Sequence, residues 1–414
     1  MGSSISQRRR QLDDDVSAVR SPSSTQSLRL MVAGGGTGGH IYPALTTIRT
    51  LRSRLAASGG QLEVLWIGKA DGLESRIAAT DDVPFAAVAT GKIRRAANPL
   101  KMLSRTNITD MCRVPVGVAQ AYRLVARFQP DVVLATGGYV AVPAGLGAWL
   151  RRRPLIVHEQ TVRLGLANRV LARLATRVAV SSESTLRLLP GIVRSSAVVT
   201  GNPIRPELLD GNADKAVATL GLYGFDRSLP TVYVTGGAQG AVQINRVVRE
   251  LLPWLLQRAN VIHQCGKASA DELRQRAADL APDLSARYLV TEFVGPELAD
   301  VFALADVIIS RSGAGTIAEI TALGKASVLI PLSSAAGNEQ AHNARTLVER
   351  GAAVALLGEV SGPSLQEAIE PLLADSERRT TAAEQARLQG RRDAAELLAH
   401  LVCSVAERPA APSG

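Results

Sequence analysis

Three stretches of small residues in this 414-residue chain have the composition of anion-binding loops. The first, Gly34-Gly35-Gly36-Thr37-Gly38-Gly39-His40, follows the apolar run 28–33. Glycines let backbone N–H groups close on a phosphate, and a helix starting there aims its partially positive end at the same point. The second, Gly236-Gly237-Ala238-Gln239-Gly240-Ala241, repeats that order of strand, glycine turn and helix after the run 231–235. The third, Ser310-Arg311-Ser312-Gly313-Ala314-Gly315-Thr316-Ile317-Ala318-Glu319, offers backbone N–H groups to a diphosphate. Glu319, about one turn inside the helix, can accept hydrogen bonds from a ribose diol, or can serve only as a helix-dipole partner. Gly34, Gly36 and Gly39 also satisfy G-x-G-x-x-G. A dinucleotide site would place an acidic residue near the end of the second strand, about 20 residues on. That strand, 63–67, instead runs into Gly68-Lys69-Ala70, and Asp71 comes late, which argues against it.

The elements that must position these loops follow from the apolar pattern. Runs of strand length stand at 28–33, 63–67, 85–89, 131–136, 155–158, 177–181 and 197–200, alternating with segments of helix length. The pattern restarts at 231–235 and continues at 261–264, 288–293, 306–310, 327–331 and 353–357. Such alternation is the signature of parallel β-α-β architecture, here in two similar α/β domains facing across a cleft. The expected division is a disordered tail 1–27, a domain 28–200, a domain 201–375, a helical segment 376–405 and a flexible tail 406–414. The hinge falls at Gly201-Asn202-Pro203-Ile204-Arg205-Pro206, where two prolines stiffen a short connection. Pro43 suits the first turn of the helix after the first loop, where no backbone N–H is needed.

Charge is unevenly spread. Residues 29–200 hold 23 Lys and Arg against 9 Asp and Glu, whereas 201–414 hold 20 against 25. A basic half suits nucleic acid, an anionic bilayer or a pyrophosphate ligand, or is merely a solvated surface. With 3% aromatic residues there are few stacking platforms, and no zinc-finger or RRM-type motif is present, so nucleic acid is not an expected partner. Cys112, Cys265 and Cys403 form no metal or disulfide pattern, which fits a reducing compartment. No run reaches the roughly 18–20 apolar residues of a membrane span. The polar N-terminal segment lacks the apolar region of a secretory signal, and its match to a myristoylation pattern at Gly2 is a weak one. Basic and apolar residues coincide at Leu100, Met102 and Leu103, behind Lys92, Arg94 and Arg95, and at Trp149-Leu150-Arg151-Arg152-Arg153. Either these segments meet anionic lipid or their apolar side chains pack inside.

The three loops recur with Gly137-Gly138-Tyr139-Val140, His158-Glu159-Gln160, Gly201-Asn202-Pro203-Ile204-Arg205 and Gln340-Ala341-His342-Asn343-Ala344. In that order and spacing they resemble the MurG family, bacterial transferases that add N-acetylglucosamine to a lipid-linked muramyl-pentapeptide in peptidoglycan synthesis. The resemblance covers roughly residues 28–400. It implies a GT-B fold, with UDP-N-acetylglucosamine held mainly by the C-terminal domain and the polyprenyl-pyrophosphate-linked acceptor by the N-terminal one. It also implies a peripheral place on the cytoplasmic face of the bacterial membrane. Carried onto this chain, Thr37, Gly38 and Gly39 would meet the donor sugar and diphosphate, and Arg205 would contact the donor near the hinge. Glu319 would hold the ribose, with Ala314, Gly315, Thr316, Ile317 and Ala318 supplying backbone and close packing. Val294 stands where a main-chain contact reads uracil, and Gln340 where an amide reads the sugar hydroxyls. Tyr139 and Asn245 would act on the acceptor side or as support.

Two positions depart from the family pattern. Thr161 stands where the family has Asn after His158-Glu159-Gln160, and Ala238 replaces a serine hydroxyl, so the sugar donor or acceptor could differ. The implied reaction is displacement with inversion, which needs a proton acceptor and positive groups for the departing diphosphate. His40, at the loop-to-helix junction, is the first candidate base, because imidazole titrates near working pH. His158, oriented by Glu159, is the second. No cofactor and no required metal are expected, since the only Asp-x-Asp is Asp13-Asp14-Asp15 in the tail and helix dipoles can take its place. A diacylglycerol glucosyltransferase, a UDP-sugar 2-epimerase of the same fold and a non-enzymatic basic binding module are the alternatives.

Overall fold

The structure, a computed structural model, describes residues 27–91, 105–237, 239–332 and 338–407. Ala238, Leu100, Met102, Leu103, most of both tails and the Gly2 pattern lie outside the described residues. Every apolar run becomes a strand, and the strands form two sheets that are parallel throughout. The first has the order β3 (Phe85–Ala87), β2 (Gln61–Gly68), β1 (Ser27–Gly34), β4 (Val132–Gly137), β5 (Leu155–Glu159), β6 (Arg177–Val180) and β7 (Ala197–Val199). The second has the order β10 (Tyr288–Thr291), β9 (Asn260–Gln264), β8 (Thr231–Thr235), β11 (Val307–Ser310), β12 (Ala326–Leu329) and β13 (Val354–Ala355). This is the GT-B arrangement of two Rossmann-like α/β units.

Parallel strands buried on both faces read as unbroken apolar runs. In β1, Leu30 and Val32 face α1 (Gly38–Ala57) through Ile41, Leu45 and Ile48. Met31 and Ala33 face the opposite layer, where α3 (Arg105–Phe128) and α4 (Ala141–Leu150) supply Val125, Ala144 and Ala148. Between them α2 (Leu73–Thr80) follows β2. In each sheet the order reverses once, between β1 and β4 and again between β8 and β11. Ligands of open α/β sheets bind beyond the carboxyl ends of strands at such switch points. All three small-residue loops, and Gly137-Gly138-Tyr139 after β4, lie there.

Two local outcomes differ from the expectations. Helix α1 already begins at Gly38, so Pro43 sits in its second turn, leaving the Gly39 carbonyl without its usual intrahelical donor. Ser27 belongs to β1 rather than to the tail.

The C-terminal helices divide between the two sheets. Helices α8 (Gly362–Ala374) and α9 (Ser376–Gln389) lie with the second sheet, whereas α10 (Ala394–Ala406) crosses back. Leu398, Leu401, Val402 and Val405 of α10 enter the core of the first sheet, each stabilising it by about 1.5–3 kcal/mol before ordering costs. The return passes Gly201, which has φ +82, and a Cβ at Gly201 would lie 2.9 Å from the Cβ atoms of Arg391 and Ala394.

Candidate active site

The loop after β1 is moulded around a buried carboxylate. Glu74, in the first turn of α2, is fully buried, and its Oε2 accepts from the Gly36 N–H at 3.1 Å while Oε1 accepts from the Lys69 N–H at 3.1 Å. A Cβ at Gly35 would stand 2.4 Å from Glu74 Cδ, and one at Gly72 2.3 Å from its Oε1, so glycine is required for so close a wrap. From beneath, the Trp66 indole N–H donates to the Gly34 carbonyl. With the turn shaped in this way, α1 starts without a side-chain cap, and the N–H groups of Gly38 and Gly39 open onto the cleft. Glu74 was not among the expected site residues. Its only local signal is a glutamate at the start of a helix after two glycines.

His40 stands at the rim of this loop. Its Nδ1 lies 3.2 Å from the Gly35 carbonyl and 3.1 Å from Thr37 Oγ1. A carbonyl only accepts, so Nδ1 carries the proton and Nε2 keeps its lone pair. Burial lowers the pKa against the opposing pull of the Gly35 carbonyl, so the ring is neutral at neutral pH. The loop after β4 closes on it: a Cβ at Gly137, where φ is +105, would lie 2.9 Å from His40 Cδ2. The Tyr139 ring lies beside Gly36.

His158 and Glu159 take other parts than those expected of them. His158 is wholly buried at the end of β5, with Nε2 donating to the Gly201 carbonyl at 3.0 Å and Nδ1 accepting from Gln160 Nε2 at 3.0 Å. Both ring nitrogens are engaged, and burial takes the pKa down to about 4, so no site is left for a substrate proton. The ring ties β5 to the hinge. Glu159, almost fully buried, does not orient it. Glu159 Oε1 accepts from the Thr161 N–H and hydroxyl, and Oε2 from the Gly165 N–H at 2.8 Å and Asn168 Nδ2 at 3.0 Å. Burial raises its pKa and these four bonds oppose the rise. It organises the turn 161–165. The Thr161 hydroxyl lies 2.7 Å from Glu159 Oε1 and 2.6 Å from the Arg163 carbonyl, so its single proton is committed inside that turn.

On the second lobe, α5 (Val242–Leu256) follows the second glycine loop and α6 (Ala314–Leu323) begins after Gly313, and Gly313 and Gly315 have open space where a Cβ would stand. The first-turn N–H groups of Ala314, Gly315 and Thr316 therefore have an unobstructed front. Ile317 and Ala318 continue that turn, the Ile317 N–H bonding back to the Gly313 carbonyl. Glu319 Oε1 lies 3.0 Å from Arg205 Nη2, so the residue expected to hold a ribose and the residue expected to touch the donor are an ion pair. Burial raises the Glu319 pKa and Arg205 opposes the rise. The Arg205 guanidinium also stands 5.9 Å from the Tyr42 ring of α1, joining both lobes to the hinge, and Asn202 Nδ2 donates to the Ala314 carbonyl. The Val294 N–H donates to Gln264 Oε1 at 2.9 Å. Gln340, in the first turn of α7 (Glu339–Val348), accepts from the Leu332 N–H through Oε1. Asn245 lies in the core of the second lobe. It donates to the Cys265 carbonyl and accepts from His263, as a support would.

The loops of both lobes open on one cleft of about 880 Å³, lined among others by Thr37, Gly38, Gly39, Gly237, Thr316 and Gln340. Away from it, Trp149 and Leu150 at the end of α4 are each half exposed rather than packed inside. Beside them the Arg151 guanidinium stacks 3.9 Å from the Tyr122 ring of α3, Arg152 is exposed, and Arg153 bonds Gln129. Among the described residues no helix is long and apolar enough to cross a membrane.

Comparison with known proteins agrees with this architecture. Residues 30–180 match the glycosyltransferase family 28 N-terminal domain, and residues 231–398 match the family's C-terminal domain. The chain is 35% identical over 356 residues to UDP-N-acetylglucosamine–N-acetylmuramyl-(pentapeptide) pyrophosphoryl-undecaprenol N-acetylglucosamine transferase 3 of Bacillus thuringiensis, covering 86% of this chain and 94% of that one. Its structure is similar to that of Acinetobacter baumannii MurG, with a TM-score of 0.69 and 27% identity over 91% of this chain and 99% of the other. UDP-GlcNAc 2-epimerase from Neisseria meningitidis, at 14% identity and a TM-score of 0.61 over 91% and 99%, shares the fold alone. Two family domains in series, and a named transferase aligned across most of the chain, show that this glycosyltransferase belongs to family 28 and, within it, to the MurG family.

Proposed function

We propose that the protein transfers N-acetylglucosamine, with inversion, from UDP-N-acetylglucosamine to the lipid-linked muramyl-pentapeptide, converting lipid I to lipid II. The observation that carries this reading is the convergence of glycine loops from both lobes and the Glu319–Arg205 pair on one cleft, in a chain 35% identical to a transferase named for that reaction. In this reading the muramyl hydroxyl oxygen attacks the anomeric carbon. Its proton passes to His40 Nε2, and the bond to the diphosphate breaks with its electron pair leaving on UDP. The N-termini of α1 and α6 face the developing negative charge, where fixed dipoles act without reorganising. Glu319 receives the ribose hydroxyls, which means that the donor shares this carboxylate with Arg205 on arrival.

The acceptor side of the cleft then belongs against an anionic membrane surface. Half-exposed Trp149 and Leu150 beside three arginines support a peripheral docking patch on α4, on the cytoplasmic face where a polyprenyl-linked sugar would be presented. The test is incubation with labelled UDP-N-acetylglucosamine and lipid-linked muramyl-pentapeptide, with transfer of label to lipid expected. Epimerised sugar nucleotide formed without lipid would replace this reading with a 2-epimerase. Preference for UDP-glucose would point to a lipid glucosyltransferase, and absence of UDP binding to a non-enzymatic module.

A further inference from the structure

Just beyond β11 stands a cation without a counter-charge. Arg311 lines the cleft and donates through Nη1 to Gln243 Oε1 at 2.8 Å, the Ile330 carbonyl at 2.9 Å and the Pro331 carbonyl at 3.3 Å. All three acceptors are neutral. Among the described residues no carboxylate pairs with Arg311, and its Nε and Nη2 N–H groups have no acceptor. The turn that carries it is held from the far side, since Ser312 Oγ donates to the Gln340 carbonyl and Asn343 Nδ2 to the Ser312 carbonyl. Burial lowers the guanidinium pKa with no opposing charge.

Such a half-buried cation costs folding free energy, and the cost is offset when an anion enters. The Nε and Nη2 edge of a guanidinium is a planar fork matched to two oxygens of a carboxylate or phosphate. Here that edge is the unused one, and Arg311 lines the same cleft as Gly38 and Gly39 of α1 and Gly313 and Thr316 at the start of α6, where both sets of backbone N–H groups favour negative charge. We propose that Arg311 grips the diphosphate of the sugar-nucleotide donor through this edge and steadies the charge that builds there as the glycosidic bond breaks. The proposal rests on the donor reading above. Its rival is a purely structural role, in which Nη1 clamps residues 330–331 and nothing more.

Titration of wild type, Arg311→Met and Arg311→Lys with UDP and with uridine separates these roles, together with single-turnover transfer and ligand-free thermal stability. For Arg311→Met, UDP affinity and single-turnover rate should each fall about tenfold or more, with uridine affinity little changed. The ligand-free melting temperature should change little, because the relief of an uncompensated cation is offset by the loss of the Nη1 bonds to Gln243 and to the carbonyls of residues 330–331. Lysine can still cap the carbonyls but has no fork, so Arg311→Lys should keep its stability and still lose UDP affinity. That variant decides the matter if Arg311→Met fails to fold. UDP affinity within about threefold of wild type in a folded variant, far short of a charged hydrogen bond, overturns the proposal. Equal losses for UDP and uridine also overturn it, since they mark a disturbed lobe rather than a missing diphosphate contact. If wild type binds neither ligand, the donor reading falls and this proposal with it, whereas UDP binding unchanged by both substitutions removes only the role of Arg311.

Discussion

Glu319 and His40 are the residues on which the proposed chemistry turns. Glu319→Ala should raise the KM for UDP-N-acetylglucosamine about 10- to 150-fold, the loss of roughly 1.5–3 kcal/mol expected for a charge-assisted hydrogen bond. Liposome binding should be untouched. Unchanged donor kinetics in the folded variant would leave Glu319 as a partner of Arg205 and nothing else. His40→Ala should depress kcat by about 10²–10⁴-fold with little change in donor affinity. The pH profile gives a second check. Because burial sets the His40 pKa below the ordinary 6.5, the base stays unprotonated as pH falls through 6.5 and is lost only below its own pKa. The acid limb of wild-type kcat should therefore lie below pH 6.5 and disappear in His40→Ala. If the variant retains both the limb and the turnover, the proton goes elsewhere. At this scale the sequence was a partial guide. It named His40 from its loop, Glu319 from its helix and Arg205 through the family resemblance, without showing that the last two form an ion pair, and the parts played by His158 and Glu159 depend on Gly201 and on the turn 161–165. A histidine with both nitrogens satisfied looks, in sequence, like one poised to react.

The element that most needs its exact geometry is the loop between β1 and α1. Glu74→Gln leaves one oxygen to accept and turns an NH₂ toward the second backbone N–H, so one hydrogen bond is replaced by a repulsion in a buried place. The expected cost is about 1–3 kcal/mol of stability, with kcat falling more than KM rises, because the displaced loop carries Thr37 and His40. Thermal melting and steady-state kinetics on the same preparation check both parts, and wild-type values for both would show that the loop keeps its shape unaided. Strands were legible because helices cover both faces of each sheet and leave continuous apolar runs. The first glycine loop was legible because a Cβ at Gly34 or Gly35 would clash and Gly36 has φ +81, whereas Gly313 and Gly315 leave room for other residues. Glu74 was not, because the groups that it serves, Gly36 and Lys69, come together only once β1 and β2 pair. The start of α1 five residues before Pro43 was hidden for a similar reason, since tertiary packing carries the helix across a residue that local propensity would place in its first turn.

For the whole molecule, the proposed orientation on a bilayer follows from the basic half of the chain. Replacing Arg151, Arg152 and Arg153 together with Gln should weaken binding to anionic liposomes at low salt, each arginine contributing about 1 kcal/mol near the surface. The difference from wild type should shrink as salt rises. Equal binding at low salt would remove this patch as the docking surface while leaving the transferase assignment intact. Composition signalled the charge asymmetry, but not that α10 returns to the first sheet, because an amphipathic helix does not say which of two apolar faces it will cover. That return means that the chain passes between the lobes twice, at 201–206 and at 390–394, and the two passages touch where Gly201 meets Arg391 and Ala394. Side by side, they work like paired pins in a door frame. By this geometry, twisting or sliding one lobe against the other would strain one passage against its neighbour, whereas a swing about the line through them would strain neither.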